Sequence, residues 1–235
     1  MIKHLVALIL GVFIGVLLLA AGLYYNPFNA KNRLSPISVT DNDVITLGYS
    51  AVVTDGLVYT NDGESHIDPH PAKVLQLWEP TIRQSSAMAT TLVDSRGQLA
   101  GLGIKFSSLS EQTSILDGDA LVDSVWHIYL PGRGSLFVAQ TENYWDYIRE
   151  IVLPARWSSG DNWRGTWRGN ITAGPNALGT AKAFGGSGEF ADIDTEAVEA
   201  LSARAYSVQQ GPVAMQGELS IEIPREDPDE AIAAE

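Results

Sequence analysis

The sequence predicts a mainly β domain of about eight antiparallel strands, a barrel or a sandwich with one or two short helices, preceded by an N-terminal transmembrane helix. Three observations support this fold class. An uninterrupted apolar run stands near the N-terminus, apolar and polar residues alternate along much of the remaining chain, and turn sequences separate the alternating segments. Alternation with a period of two is typical of strands that are buried on one face.

The apolar run covers residues 5–25 and contains no charged side chain. At a rise of about 1.5 Å per residue it forms a helix of roughly 31 Å, which matches the hydrocarbon core of a bilayer. Lys3 lies in the short segment 1–4 before the run, and two tyrosines close the run where aromatic rings favour the headgroup level. We therefore expect a signal anchor that crosses the membrane once.

A cleaved signal peptide is the alternative, because residues 20–22 form a small-residue site towards the end of the apolar run. The domain would then be secreted. With an anchor, we expect the N-terminus in the cytoplasm and the domain in the periplasm or outside the cell, since a single N-terminal span usually leads with its N-terminus inside. Both interpretations place the domain outside the cytoplasm.

Gly11 and Gly15 form a GxxxG pair within the apolar run. Small residues at this spacing let two membrane helices approach closely, which favours a homodimer through the transmembrane helix. The alternative is that these glycines only reflect the frequency of glycine in membrane helices.

The chain carries a net charge of −13 and contains no cysteine. We therefore expect no nucleic-acid partner, because phosphates attract basic surfaces. The absence of cysteine excludes disulfides, thiolate zinc clusters and a thiol nucleophile. Composition divides the chain beyond the anchor into a juxtamembrane linker at 26–36, a β-rich domain at 37–224 and an acidic tail at 225–235 that we expect to be disordered.

Eight segments of the domain show the strand pattern. The clearest is 213–223, where apolar residues share one face and glutamine, glutamate and serine share the other. Turn sequences at 94–97 and 131–134 join two pairs of segments into hairpins. In chain order the segments are 44–53, 87–93, 98–107, 121–130, 135–141, 163–172, 179–184 and 213–223.

Two further segments have features of helices. Asn143 can cap a helix at 144–153, in which apolar residues recur every three or four positions until Pro154 ends it. Thr195 precedes an alanine-rich segment with acidic residues in its first turn, which favours a second short helix that ends near Tyr206. A strand is the alternative for this second segment.

Trp163, Arg164 and Gly165 recur as Trp167, Arg168 and Gly169. On a strand, positions four apart point the same way, so both indoles share one face and both arginines share the other. Together with Trp126, the paired indoles could form a stacking platform for a small ligand, while the arginines could clamp a carboxylate or a phosphate. The alternative is that the tryptophans pack in the core and the arginines are solvated.

His66, Asp68 and His70 form an HxDxH pattern. In an extended segment these side chains would project to one side, as a metal site of two histidines and one carboxylate requires. Such a site could bind zinc or iron and activate water. Because Pro69 and Pro71 interrupt strand pairing, a loop without a metal is the preferred interpretation, and we expect no cofactor.

Residues 183–190, with the sequence AFGGSGEF, resemble the GGTGxF turn of dirigent and allene oxide cyclase barrels. The resemblance covers eight residues and implies a small antiparallel barrel, whose interior holds either side chains or one small ligand. The acidic residues that follow depart from the family pattern, so no functional residue is carried over.

These observations favour a membrane-anchored binding or interaction protein that acts close to the bilayer, with a small ligand or a membrane protein as its partner. Binding is preferred over catalysis because no nucleophile, base and orienting group stand together in the sequence. One alternative is a metal-dependent envelope enzyme, such as a hydrolase, that uses His66, Asp68 and His70. The other is a structural subunit of an envelope complex.

Overall fold

The computed structural model describes residues 2–24, 43–52, 58–61, 64–65 and 85–224. The predicted linker at 26–36 and the acidic tail at 225–235 lie outside these residues. The helix α1 runs from Ile2 to Tyr24, and its stretch Lys3–Gly22 has a mean hydropathy of 2.9 with no part buried. Length and composition make it a candidate for a membrane span, as the sequence predicts.

The domain is a mostly antiparallel sheet with one short helix, which confirms the predicted fold class. The helix α2 covers residues 145–157. The described strands are β1 Asp43–Ser50, β2 Val58–Asn61, β3 Glu64–Ser65, β4 Ser85–Val93, β5 Leu99–Leu109, β6 Leu121–Leu130, β7 Gly134–Asn143, β8 Asn162–Asn170, β9 Thr172–Gly174, β10 Ala181–Gly188, β11 Asp194–Ser207 and β12 Gly211–Ile223.

Eight strands follow one another in the order β1, β12, β11, β10, β7, β6, β5 and β4. The order returns to its start because β1 also pairs with β4, at Gly48 and Val93. We call this set the ring of strands. Outside this path, β2 and β3 extend from β4, β8 pairs with β11, and β9 pairs with β7.

Alternate side chains of the ring of strands point inwards and form one core. On β6, the buried residues Trp126, Ile128 and Leu130 share the inner face. On β5 the inner face is instead occupied by Gly101, Gly103 and Lys105. Apolar side chains on the outer faces of β5 and β6 are solvent-exposed: Leu102, Ile104, Phe106, Val125 and Tyr129.

The helix α2 begins and ends differently from a plain α-helix. The side chain of Asn143 accepts a hydrogen bond from the backbone N–H of Trp145 at 2.9 Å, as predicted for a capping residue. The predicted end at Pro154 is wrong, because the helix continues to Trp157. A π turn at Ile148–Val152 precedes the proline and shifts the carbonyls out of α register, which accommodates a ring without an N–H.

The predicted second helix after Thr195 is also wrong, because this segment is part of the long strand β11. It lies between β12 on one side and β10 and β8 on the other. Backbone pairing along both edges outweighs the modest helix propensity of alanine. The strand alternative for this segment is confirmed.

Close packing of an aromatic ring on a glycine fixes Tyr49 inside the ring of strands. Tyr49 on β1 lies opposite Gly217 on β12, and a Cβ atom at Gly217 would stand 2.0 Å from the Tyr49 ring. Only glycine leaves room for the ring against the backbone of β12. The position of the Tyr49 hydroxyl therefore depends on a residue without a side chain.

We expect Gly217→Ala to reduce the free energy of unfolding by about 1–3 kcal/mol, because the added methyl group overpacks the site and displaces Tyr49. The matched control is Gln216→Ala, an exposed position on the same strand, which should change stability by less than about 0.5 kcal/mol. Urea unfolding of the full chain in lipid nanodiscs, followed by tryptophan fluorescence, measures both. Equal stability of the two variants would contradict this packing argument.

Candidate functional site

Three charged side chains lie buried inside the ring of strands. They are Lys105 on β5, Glu142 on β7 and Glu199 on β11, with 6%, 0% and 0% of their surfaces exposed. The Lys105 ammonium lies 2.9 Å from the Glu142 carboxylate and 2.8 Å from the Glu199 carboxylate. Charged side chains are rarely buried unless they are paired, and these three are buried as partners of one another. We call Lys105, Glu142 and Glu199 the triad.

Glu199 receives hydrogen bonds on both carboxylate oxygens. Its Oε1 accepts from the Tyr49 hydroxyl and from Lys105, and its Oε2 accepts from the Trp126 indole at 3.0 Å and from the Gln140 amide. Four donors therefore compensate for the water that this carboxylate lost on burial. The arrangement favours an ionised Glu199.

Glu142 also accepts hydrogen bonds on both carboxylate oxygens. Its Oε1 accepts from Ser124, from Gln140 at 3.0 Å and from the Lys105 ammonium, while its Oε2 accepts from the Tyr144 hydroxyl at 2.6 Å. Gln140 thus bridges the two carboxylates, and Tyr144 extends the network towards α2. We call these side chains, with Tyr49, Trp126 and the triad, the buried polar network.

Burial and neighbouring charges move the pKa values of this network in different directions. Burial raises the pKa of Glu142, and the Lys105 charge offsets this only in part. Burial also opposes ionisation of Glu199, but Lys105 and the hydrogen-bond donors outweigh it and lower its pKa. Burial alone would lower the pKa of Lys105, yet Glu142 and Glu199 hold it above its ordinary value. The pKa values of the two glutamates are thus displaced in opposite directions, and Glu199 is the carboxyl whose ionised form its surroundings favour.

A cavity of about 410 Å³ lies at one end of the ring of strands, directly against the buried polar network. Lys105, Tyr49 and Tyr144 contribute to both, so we call them the floor of the cavity. Its size is within the range of pockets that enclose small molecules. The other lining residues are Ala51, Ser86, Met88, Ser107, Val122, Tyr147, Leu201, Tyr206, Gly211, Pro212 and Met215.

A larger groove of about 630 Å³ crosses the outer faces of β4 to β7. Phe106, Val125 and Ala139 contribute to its lining, together with Pro175. None of the three buried charges lines it. Because ligand sites combine an apolar enclosure with a few converging polar groups, the inner cavity is the stronger candidate.

Tyr147 lines the cavity and carries a buried, unsatisfied hydroxyl. Its side chain is 9% exposed, and its hydroxyl has no hydrogen-bond partner among the described residues. Its ring stands edge-on to the rings of Trp167 at 5.7 Å and Tyr206 at 6.1 Å, so it is held by packing alone. Burial raises the pKa of Tyr147, which keeps the hydroxyl protonated and able to donate.

The three tryptophans that the sequence suggests as a ligand platform all belong to the hydrophobic core or pack against it. Trp126 is fully buried in the buried polar network, where its ring lies 4.9 Å from that of Tyr49. Trp167 is also buried and donates its indole N–H to Glu150 at 3.0 Å. Trp163 is half-buried against the core. The platform of Trp126, Trp163 and Trp167 stays a prediction.

The repeated Trp-Arg-Gly pattern has a structural explanation. A Cβ atom at Gly165 would stand 2.8 Å from the Trp163 indole, and one at Gly169 would stand 2.6 Å from the Trp167 indole. Each indole therefore lies over the glycine two residues further along β8, on the same face. The repeat fits two tryptophans against the backbone of an outer strand.

The two arginines of the repeat lie on the opposite, exposed face, as the sequence predicts. Arg168 forms an ion pair with Glu218 at 2.9 Å, and both side chains are largely exposed. Arg164 is likewise exposed. Anion binding by Arg164 and Arg168 stays a prediction.

The predicted metal ligands His66, Asp68 and His70 lie outside the described residues. Within the described part of the chain, no group of three or more histidine, aspartate or glutamate side chains could hold a metal ion. His127 stacks on Phe137 with ring centroids 4.6 Å apart. A zinc or iron site at the HxDxH pattern therefore stays a prediction.

Sequence patterning missed the triad because it indicates only which residues share a face. On β5 the apolar set is Leu102, Ile104 and Phe106, which alternation alone would place inside. The structure places them outside and Lys105 inside. One signal in the sequence pointed to the inner face of β5, namely the two glycines Gly101 and Gly103 that share a face with Lys105. Glycine within a strand often marks a close approach by another group, and a Cβ atom at Gly103 would stand 2.8 Å from the Trp126 ring.

No protein-family model matches the chain, and no curated protein sequence matches it. Among solved structures, the Diels Alderase AbmU from Streptomyces koyangensis aligns with a TM-score of 0.38 and 11% identity, over 90% of this chain and 87% of that one. A nonspecific heme-binding cyclase of neoabyssomicin biosynthesis aligns with a TM-score of 0.36 and 11% identity, over 91% and 86%. Both TM-scores are below 0.5, so neither similarity enters the functional argument.

We expect Lys105→Met to reduce the free energy of unfolding by about 3–5 kcal/mol at neutral pH, because two buried carboxyls lose their shared cation. Without Lys105, burial raises both carboxyl pKa values above those of the unfolded chain. Stability from such groups is present at low pH and is lost as the pH rises, so the deficit should shrink between about pH 7 and about pH 5.

The matched control is Lys182→Met, because Lys182 pairs with Asp194 at 3.1 Å on the surface, where an ion pair contributes about 0–1 kcal/mol. Urea unfolding of both variants across this pH range measures the effect. A deficit in Lys105→Met that does not change with pH would contradict the assigned charges.

Proposed function

We propose that the chain is a single-pass membrane protein whose β domain binds a small, largely apolar ligand close to the bilayer. The ring of strands acts as a small barrel, and the cavity at its end is the binding site. The observation that carries this proposal is the combination, in one cavity, of aromatic and aliphatic walls with a buried charged floor. This combination is typical of ligand pockets.

The wall composition supports an apolar ligand. Tyr144, Tyr147 and Tyr206 present aromatic surface to the cavity, and Met88 and Met215 add flexible thioether side chains that adapt to irregular shapes. A ligand that covers these walls gains about 25 cal/mol for each Å² of apolar surface removed from water. The polar groups at the floor then set its orientation.

The anchor supports a site of action near the membrane. Residues 25–42 separate α1 from β1 and can span at most about 60 Å when fully extended. An apolar ligand partitions into the bilayer, so a tethered pocket meets it at a higher local concentration than a free one does. We place the domain in the periplasm or outside the cell, with the N-terminus in the cytoplasm.

Filling the cavity should abolish binding. Ser86 lies on β4 and lines the cavity, so Ser86→Phe inserts a ring into the binding volume. We expect this variant to bind 2-ethylnaphthalene at least tenfold more weakly than the wild type, measured by quenching of tryptophan fluorescence in nanodiscs with empty nanodiscs subtracted.

The matched control for cavity filling is Thr91→Phe, at an exposed position on the outer face of the same strand. It adds the same ring and should leave the affinity within about twofold, because surface changes rarely perturb the interior. Absence of saturable binding to the wild-type chain, or equal binding by all three chains, would refute the binding function.

The proposed topology places the C-terminus outside the cytoplasm. With an epitope tag at the C-terminus, external protease should remove the tag from intact cells, or from cells whose outer membrane alone is permeabilised. A cytoplasmic protein is the control for integrity of the inner membrane. Protection of the tag until that membrane is lysed would contradict the topology, and loss of residues 1–22 from the mature protein would show cleavage instead of anchoring.

A further inference from the structure

The outer faces of β5 and β6 carry a continuous apolar surface. Leu102 lies opposite Tyr129, and Phe106 lies opposite Val125, with Ile104 between them on β5. Each of these five residues exposes between 38% and 55% of its surface. We call them the outer apolar patch. A contiguous apolar patch on a folded domain is typical of an interaction site.

Stacked rings extend this apolar surface across β7 and β10. His127 lies opposite Ile104, and its ring stacks on Phe137 with centroids 4.6 Å apart. Phe137 in turn stacks on Phe184 at 5.5 Å. Because each ring is held by its neighbour, this surface is formed before any partner binds.

No acidic residue stands on the strand segments that carry this surface. The chain has 28 acidic residues, yet none lies at 102–106, 125–129 or 135–139. At the border, Asp123 accepts a hydrogen bond from Thr141 at 2.8 Å, and Lys182 forms an ion pair with Asp194 at 3.1 Å. Although the chain carries a net charge of −13, the patch itself adds no carboxylate that an anionic headgroup would repel.

The area and shape of this surface favour a bilayer over a second copy of the chain. A stable contact between two folded chains covers about 800 Å² on each of them, and the outer apolar patch provides roughly half of that. The groove of about 630 Å³ runs through the patch at Phe106 and Val125. Two such concave faces would leave a void between them, whereas fluid acyl chains fill a groove.

The anchor brings a bilayer within reach of the patch. Residues 25–42 span at most about 60 Å, whereas the longest described strand, β11, measures about 46 Å from end to end. Any side of the domain can therefore turn towards the membrane. Since the tether already holds the domain there, even a patch of modest area meets the bilayer at a high local concentration.

We propose that the outer apolar patch rests on the lipid bilayer, with its rings and aliphatic side chains at the boundary between headgroups and acyl chains. Aromatic rings favour this depth. The inference rests on the membrane anchor proposed above and adds a second contact between the chain and the membrane. Ser86 and Ser107 line both the groove and the cavity, so this contact holds the cavity beside the bilayer.

Single-cysteine labelling tests the contact, because the chain contains no cysteine of its own. The full-length variant Phe106→Cys carries the fluorophore NBD in phosphatidylcholine vesicles, at a high ratio of lipid to protein. Phosphatidylcholine with a nitroxide near the top of its acyl chain is the quencher. We expect at least about twofold quenching, because an apolar face at a membrane surface lies about 5–10 Å deep.

The matched control for position is Gln216→Cys with the same label. Gln216 is exposed on β12, which lies four strands from β6 in either direction round the ring of strands. Its label faces water when the outer apolar patch faces lipid. We expect the nitroxide lipid to leave its fluorescence almost unchanged.

Charges placed in the patch should release it from the bilayer. In the labelled Phe106→Cys chain, we expect Ile104→Glu with Tyr129→Glu to abolish the quenching, because a carboxylate resists transfer out of water. The control pair is Val44→Glu with Val213→Glu, which adds the same charges at exposed positions on β1 and β12 and should keep the quenching. Urea unfolding verifies that both double variants are folded.

The outcomes separate this contact from the proposed function. Equal quenching at 106 and 216, quenching that survives Ile104→Glu with Tyr129→Glu, or a label at 106 that is unquenched would overturn the contact, and leave the anchor and the cavity intact. An unquenched label with blue-shifted emission would assign the patch to a protein surface instead. Failure of the full chain to float with vesicles would overturn both the anchor and the contact.

Discussion

The buried Lys105 between Glu142 and Glu199 is the interaction on which the interior depends. Moving one ammonium and two carboxyls out of water is costly, and a pair of Coulomb contacts compensates only if the remaining donors and acceptors are also satisfied. Here Tyr49, Trp126 and Gln140 donate to Glu199 from three different strands. The ring of strands must therefore hold all of these strands in one register for the charges to stay buried.

Glycines provide the space for the large rings that surround these charges. Gly103 faces Trp126 and Gly217 faces Tyr49, and in both cases a Cβ atom would stand closer than 3 Å to the ring. The same device recurs outside the ring of strands, where Gly169 lies beneath the Trp167 indole. Glycine on one strand thus leaves the volume that an indole or a phenol ring needs.

The cavity exists because the network and the helix α2 meet at one end of the ring of strands. Tyr144 joins Glu142 to this end, and Tyr147 on the helix brings a hydroxyl that nothing in the described chain satisfies. The opposite part of the interior is filled by apolar side chains such as Leu92, Ile128 and Leu136.

The sequence by itself determined the apolar helix, the mainly β class and most strand positions, because these follow from local periodicity and turn residues. It also indicated that Trp163 and Trp167 share a face. Tertiary structure decided which face of β5 is inside, that the segment after Thr195 is a strand, and that Lys105 meets Glu142 and Glu199. These contacts join strands far apart in the chain, and the energy of pairing between strands cannot be read from the residues of any one strand.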